Sequence, residues 1–189
     1  MSKLFSADFA GRSISLKTNY VAGQADGAVL ARYGDTVVLV TAVSLKTIRE
    51  GVDFLPLTVD YQEMTFAAGK IPGGFFKREG RPNEKEILTS RIIDRSIRPL
   101  FPKGYRHETQ LVASVLSVDN QNDSDVLAML AASAALEISD IAFKGPIAGI
   151  RVCRVDGALV CNPSQEQQGR ADMNLFMTGR KIVPGTQGR

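Results

Sequence analysis

The chain has 189 residues, 44% of them hydrophobic and 23% charged, with a net charge of +3, proportions that suit a globular protein with a sizeable core. No apolar run approaches the roughly 18 residues of a membrane-spanning helix, and the opening Met1-Ser2-Lys3-Leu4-Phe5-Ser6 lacks the apolar centre of a signal peptide; the expectation is a cytoplasmic protein without membrane contact. The single histidine, His107, lies in a polar connector without a nucleophile elbow, and the two cysteines are poorly placed to join it, which excludes zinc chemistry and a Ser-His-Asp arrangement.

The first third reads as strands. Ser13 to Lys17 alternates, and Ala28–Arg32 and Thr36–Ala42 flank the turn Tyr33-Gly34-Asp35 as a hairpin. Thr36–Ala42 is nearly all apolar, the pattern of a strand covered on both faces. Leu55–Tyr61 continues the series, with Pro56 favouring an edge or an irregular start. Glycine and proline then mark Ala68–Gly74 as a loop.

A helix follows, with Asn83 as N-cap and Glu86 as its capping-box partner. Ile87, Leu88, Ile92 and Ile93 supply its apolar face, and Pro99 marks the stop. Gln110–Val118 reads as a strand. A second helix starts near Asp123-Ser124-Asp125 and runs to Leu136, its alanines permitting close packing on a sheet; the two aspartates read as N-capping residues rather than metal ligands. An Asp-Gly turn closes a hairpin that pairs Val155 with Ala158, Cys153 with Val160 and Val152 with Cys161. Alternation sends the two thiols to opposite faces, so no disulfide is expected, and both are expected to be buried. Met173–Met177 is a further candidate strand. The tail Gly179–Arg189 carries no obvious terminal element and looks cut. This order predicts one α+β domain over residues 1–189, an α/β sandwich of helices against a mixed sheet.

Charge is unevenly spread. Lys70 to Arg106 holds ten Lys or Arg against four Asp or Glu, a balance of +6, which leaves −3 for the remainder. Such a basic block points to a polyanion or a phosphate-bearing substrate, or else to a solvated basic helix. Within it, Phe75, Phe76, Lys77, Arg78 and Arg81 stand on a glycine-flanked loop. Rings that stack on bases beside cations that follow phosphates suit unpaired nucleic acid; adjacent phenylalanines also suit a core or an interface. Arg91, Arg95 and Arg98 follow at helical spacing and project from one side, where guanidinium forks hold phosphate oxygens, unless Asp94 takes up Arg98.

The run Phe75 to Pro82, then Glu86 to Pro102, resembles the polynucleotide phosphorylase family. Ala25-Asp26-Gly27-Ala28, Tyr33-Gly34-Asp35-Thr36, Phe54 to Tyr61, Asp125-Val126-Leu127-Ala128 and Gly145 to Gly149 extend the likeness over roughly residues 4 to 178. The resemblance implies an RNase PH-like fold, also described as ribosomal protein S5 domain 2-like, here the first of two such domains in a longer protein with KH and S1 modules. It implies a homotrimeric ring that degrades single-stranded RNA from its 3′ end with inorganic phosphate as co-substrate and Mg2+ or Mn2+, within RNA-degradation complexes in some settings. It places the catalytic and metal residues outside this chain. It gives RNA contact to Phe75, Phe76, Lys77, Arg78 and Arg81, and a role in shaping the channel and active site to Arg91, Arg95 and Arg98. Lys77 departs from the family's usual arginine. Two other readings stay open: a non-catalytic RNA-binding scaffold, and a self-sufficient RNase PH-type enzyme.

Overall fold

The structure is a computed structural model that describes residues 2–9, 11–119 and 121–180. Nine strands, three helices and two short 3₁₀ turns are present among them. They run β1 (Lys3–Phe9), β2 (Arg12–Thr18), β3 (Gly27–Tyr33), β4 (Thr36–Ser44), β5 (Leu57–Glu63), α1 (Glu84–Ile97), β6 (Thr109–Ser117), α2 (Ser124–Glu137), β7 (Ala148–Val155), β8 (Ala158–Cys161), α3 (Gln165–Gly169) and β9 (Met173–Gly179).

Six strands form one sheet in the order β1-β2-β3-β4-β6-β5, with every pair antiparallel except β5 with β6. The parallel pair requires a crossover, and that crossover carries the basic loop and α1. A second sheet, β8-β7-β9, holds the Asp-Gly hairpin in the expected register. The mixed sheet with packed helices bears out the α+β sandwich.

Alternate residues of the central strands, Val29, Ala31, Val38, Val40, Leu111, Ala113 and Val115, form the core face, against which α2 sets Leu127, Ala128, Ala131, Ala132 and Ala135. Eleven of the fourteen α2 residues are buried, because α2 packs against β3 and β4 on one side and β7 on the other. A helix covered on both sides needs no polar stripe, which is why its sequence is apolar nearly all round. At Gly27 a Cβ would lie 2.1 Å from the Ala135 carbonyl oxygen, so β3 and α2 meet at backbone distance.

Three expectations need correction, and one strand has no counterpart in the sequence reading. β1 was not anticipated from sequence: all seven of its residues are exposed, so no burial periodicity marks it. In β4, Thr36, Val38, Val40, Ala42 and Ser44 are buried while the residues between them are half-buried or, at Val43, exposed; one face is fully covered, not both. Cys153 is buried but Cys161 is exposed, because β8 is an edge strand with three of its four residues open to solvent. Ile87 and Leu88 are exposed, and the packed face of α1 is Glu86, Thr89, Ile93 and Ile97. The last exchange follows from β5 being the edge strand. Tyr61 N–H donates to Ser90 Oγ (3.0 Å) and Glu63 N–H to the Glu86 carboxylate (2.8 Å), so α1 turns a polar face to satisfy them. Residues 181–189, most of the tail that reads as cut, lie outside the described residues.

Candidate nucleic-acid interface

The basic loop spans residues 64–82, and one side chain holds both of its stems. Glu86 accepts from Glu63 N–H at the end of β5 and from Asn83 N–H (2.6 Å) at the start of α1, while the Asn83 side chain accepts from Glu86 N–H (2.9 Å). The expected capping box is therefore present, and its carboxylate also closes the base of the loop. Farther out, Glu79 accepts from the backbone N–H and hydroxyl of Thr65 (2.8 and 2.7 Å), tying the far limb of the loop to the 3₁₀ turn at Thr65–Ala68.

Between these two ties the tip stands clear of the core. Phe75 is 94% and Phe76 79% exposed, and their rings meet edge to face at 5.4 Å. Lys77 N–H donates to the Gly74 carbonyl (3.1 Å), closing a turn, with Lys77 itself at φ +51°. Lys77, Arg78 and Arg81 are exposed, and none makes an ion pair among the described residues. The one acid of the tip, Glu79, is taken by Thr65. The tip thus presents two free rings and three uncompensated cations, with a hollow of about 310 Å³ along Gly74–Glu79.

On α1 the three arginines separate. Arg91 and Arg95 are exposed. Arg98 turns back: its Nε donates to Asp94 (2.9 Å), and its terminal nitrogens donate to Asp94 and to the carbonyls of Leu55 (3.0 Å) and Leu57 (3.1 Å). Asp94 does take up Arg98, which fastens the end of α1 to the entry of β5 and leaves two arginines of the helix facing out.

A second cluster gathers residues far apart in sequence. Arg151 on β7 pairs with Asp123 (2.7 Å) and with Asp125, and donates to Asn174 on β9 (2.7 Å). Asp123 occupies the N-cap position of α2 without capping through its side chain, which meets Arg151 and accepts from Gln168 Nε2 (2.6 Å), whereas Asp125 divides itself between Arg151 and the Val126 N–H (2.6 Å) in the first turn of the helix. Burial raises the Asp125 carboxyl above its ordinary range, against the pull of the Arg151 guanidinium. Beside them, Tyr61 donates to Glu63 (2.7 Å), which also meets Lys85 (2.7 Å); burial raises Glu63, but Lys85 and Tyr61 more than offset it and hold it low. Of these groups, Lys85, Asp123, Asp125 and Arg151 line a cleft of about 570 Å³, together with Gln165 and Gln168. Among the described residues no three His, Cys, Asp or Glu side chains are grouped to hold a metal ion. With both aspartates engaged by Arg151, the donor set does not fit a divalent cation.

Sequence reasoning passed over Arg151, Tyr61 and Glu63, since each has a partner on another element: Arg151 meets Asp123 and Asp125, the Tyr61 hydroxyl meets Ser124 (2.7 Å), and Glu63 meets Lys85. It also passed over a cleft of about 330 Å³ at the far end of α1, lined by Arg49, Phe54, Arg98, Arg106 and Glu108.

Known proteins resemble this chain in sequence and in fold. A polyribonucleotide nucleotidyltransferase of Syntrophus aciditrophicus is 79% identical over 189 residues, all of this chain and 27% of that protein. One of Heliobacterium modesticaldum is 58% identical over 179 residues, 95% of this chain and 25% of that protein. The chain spans about a quarter of the length of these curated relatives. The crystal structure of rice (Oryza sativa) Rrp46 superposes with a TM-score of 0.67 at 16% identity, covering 90% of this chain and 81% of that one. A chain of the Archaeoglobus fulgidus exosome with RNA bound to the active site superposes with a TM-score of 0.66 at 20% identity, covering 87% and 71%. Both likenesses establish the RNase PH-like fold. Residues 10–142 match the family model for the 3′ exoribonuclease family, domain 1, and residues 145–186 the model for domain 2 of the same family, and on that match the chain belongs to the 3′ exoribonuclease family.

Proposed function

We propose that this chain is the RNA-gripping first core domain of a polyribonucleotide nucleotidyltransferase, a phosphorolytic 3′-to-5′ exoribonuclease acting in cytoplasmic mRNA degradation. The observation that carries this reading is the loop tip: Phe75 and Phe76 held free in solvent beside Lys77, Arg78 and Arg81, none of them neutralised. Stacking on rings plus phosphate contact is a sequence-blind grip, which an enzyme that shortens any RNA from its end requires. Arg91 and Arg95 extend the same positive surface along α1, and Arg98 supports them by fixing the end of the helix.

In the reaction an oxygen of inorganic phosphate attacks the last phosphodiester phosphorus, the 3′ oxygen of the preceding nucleotide leaves, and a nucleoside diphosphate is released. Charge accumulates on the phosphoryl oxygens, so cations near the scissile bond lower the barrier. We place the catalytic residues, and the Mg2+ or Mn2+ that acts with them, outside this chain. Three copies in a ring would bring three tips around one opening. We take residues 1–189 as a single unit, because the boundary between the two family matches falls between α2 and β7, and α2 packs on both sheets.

The test is a chimera in which this chain replaces its counterpart in the Syntrophus aciditrophicus relative, assayed for release of ADP from polyadenylate with phosphate. Phosphorolysis by the chimera is expected. Arg78→Ala with Arg81→Ala should weaken RNA binding and shorten each processive run. The slope of log affinity against log salt should become shallower by about 0.7 per lost phosphate contact, so the deficit is largest at low salt. Unchanged RNA affinity in that variant removes the loop from the reading; ADP release by the 189-residue chain alone would favour a self-sufficient enzyme.

A further inference from the structure

We infer that the cleft between the C-terminal end of α1 and the entry of β5 is a second nucleotide-binding point, which takes an aromatic base and its phosphate. The inference rests on the RNA-gripping reading and extends it to the other end of the same helix.

The cleft has an apolar floor of Leu55, Pro56 and Leu57 and a rim of Arg49, Phe54 and Arg106. Phe54 is 64% exposed and takes no part in the hydrophobic core. A ring left in water at the mouth of a cleft offers a face on which a base can stack. The charged groups that face the cleft are Arg49, Arg98, Arg106 and Glu108. Arg98 spends its donors on Asp94 and on the carbonyls of Leu55 and Leu57, and acts as the fixed wall. Arg49 reaches Glu108 across 3.5 Å, with the two side chains 75% and 41% exposed; a pair of that kind is weak and a phosphate can displace it. Arg106 is exposed and has no ion pair among the described residues. One ring, two available guanidiniums and a hollow of about 330 Å³ match one nucleotide.

Position joins this cleft to the loop. α1 begins at the stem of the loop and ends at Arg98, a rise of about 21 Å at about 1.5 Å per residue. The exposed Arg91 and Arg95 lie between. A few nucleotides of extended strand gripped at Phe75–Arg81 can follow the arginines and end in the cleft. The ligand chemistry, a base carrying phosphate, is shared by a nucleotide of that strand and by a free nucleoside diphosphate.

The experiment uses the 189-residue chain with two probes, a fluorescent oligoadenylate and ADP. The variants are Phe54→Ala with Arg106→Ala in the cleft, and Phe75→Ala with Arg78→Ala in the loop. All four side chains are exposed, so unchanged melting and circular dichroism are expected. The cleft variant should bind oligoadenylate about tenfold more weakly, and the losses in the two variants should multiply when combined. Loss of ADP binding in the cleft variant but not the loop variant identifies a site that also accepts the free diphosphate. Weaker oligoadenylate binding with no ADP bound by any form identifies a site for the strand. Wild-type affinity of the cleft variant for both probes overturns the inference. So does failure of the unmodified chain to bind either probe, an outcome that removes the loop reading as well. A silent loop variant beside a weakened cleft variant removes the loop and leaves the cleft.

Discussion

Lys77 shows how backbone and charge meet in a single residue. It sits at φ +51°, in the left-handed region, where it closes the turn that presents both phenylalanines. Its ammonium is a point charge on a flexible stem, whereas arginine offers a planar fork that holds two phosphate oxygens and lies flat on a base. Lys77→Arg keeps the charge and the turn, so tighter RNA binding is expected in a filter or anisotropy titration; weaker binding by the arginine form would contradict the account of the tip. Arg98 makes the opposite point. Its spacing from Arg91 and Arg95 reads as a third phosphate ligand, yet four hydrogen bonds to Asp94, Leu55 and Leu57 turn it into a structural fastener.

At the scale of elements, the long crossover from β5 to α1 is held open at its tip and shut at its base. Glu86 does the second task, and it is 8% exposed. Glu86→Ala removes the capping box and strands the N–H groups of Glu63 and Asn83, so a loss of about 1–3 kcal/mol is expected in denaturant unfolding. RNA binding should weaken beyond the loss of stability, since the loop stems are no longer fixed; an RNA affinity that does not move would mean that the tip is positioned by other contacts. The seam between β3 and α2 is as tight. Gly27→Ala puts a methyl 2.1 Å from the Ala135 carbonyl, and only backbone movement relieves it. A cost of about 1–3 kcal/mol and a lower melting temperature are expected, with little change in the intact tip's RNA affinity.

For the molecule as a whole, Arg151 binds its layers together. It lies on β7, in the smaller sheet, and pairs with Asp123 and Asp125 at the head of α2, the helix that both sheets share. Arg151→Met leaves Asp125 buried without its cation, and a loss of about 3–5 kcal/mol is expected near neutral pH. The pH dependence follows from the direction of the shift. Burial already raises Asp125, and without Arg151 it rises further, so the folded variant binds a proton more tightly than the unfolded chain does. Its stability deficit should therefore shrink as pH falls and grow as pH rises; a deficit that does not vary with pH would mean that Asp125 is solvated after the substitution.

Local chemistry alone determined much of this protein. The Asp-Gly turn set the β7–β8 register, Asn83 and Glu86 set the start of α1, Pro99 set its end, the alternation of Ser13–Lys17 marked β2, and the turn Tyr33-Gly34-Asp35 set the β3–β4 hairpin. The basic, aromatic loop was legible for the same reason: glycine, ring and cation stand next to one another in the chain. Tertiary structure decided what depends on partners distant in sequence. Which face of α1 packs was settled by Ile93 and Ile97 together with the unpaired N–H groups of the edge strand β5, which draw in Glu86 and Ser90 and leave Ile87 and Leu88 outside. The existence of β1 rests on hydrogen bonds to β2, without burial. The roles of Asp123, Asp125 and Arg98 were fixed by cations and carbonyls brought to them across the fold, and the cleft of Arg49, Phe54 and Arg106 exists only where the β4–β5 and α1–β6 connections converge. Hydrogen bonds and charge pairs between residues distant in sequence act through space, so no window of sequence contains them.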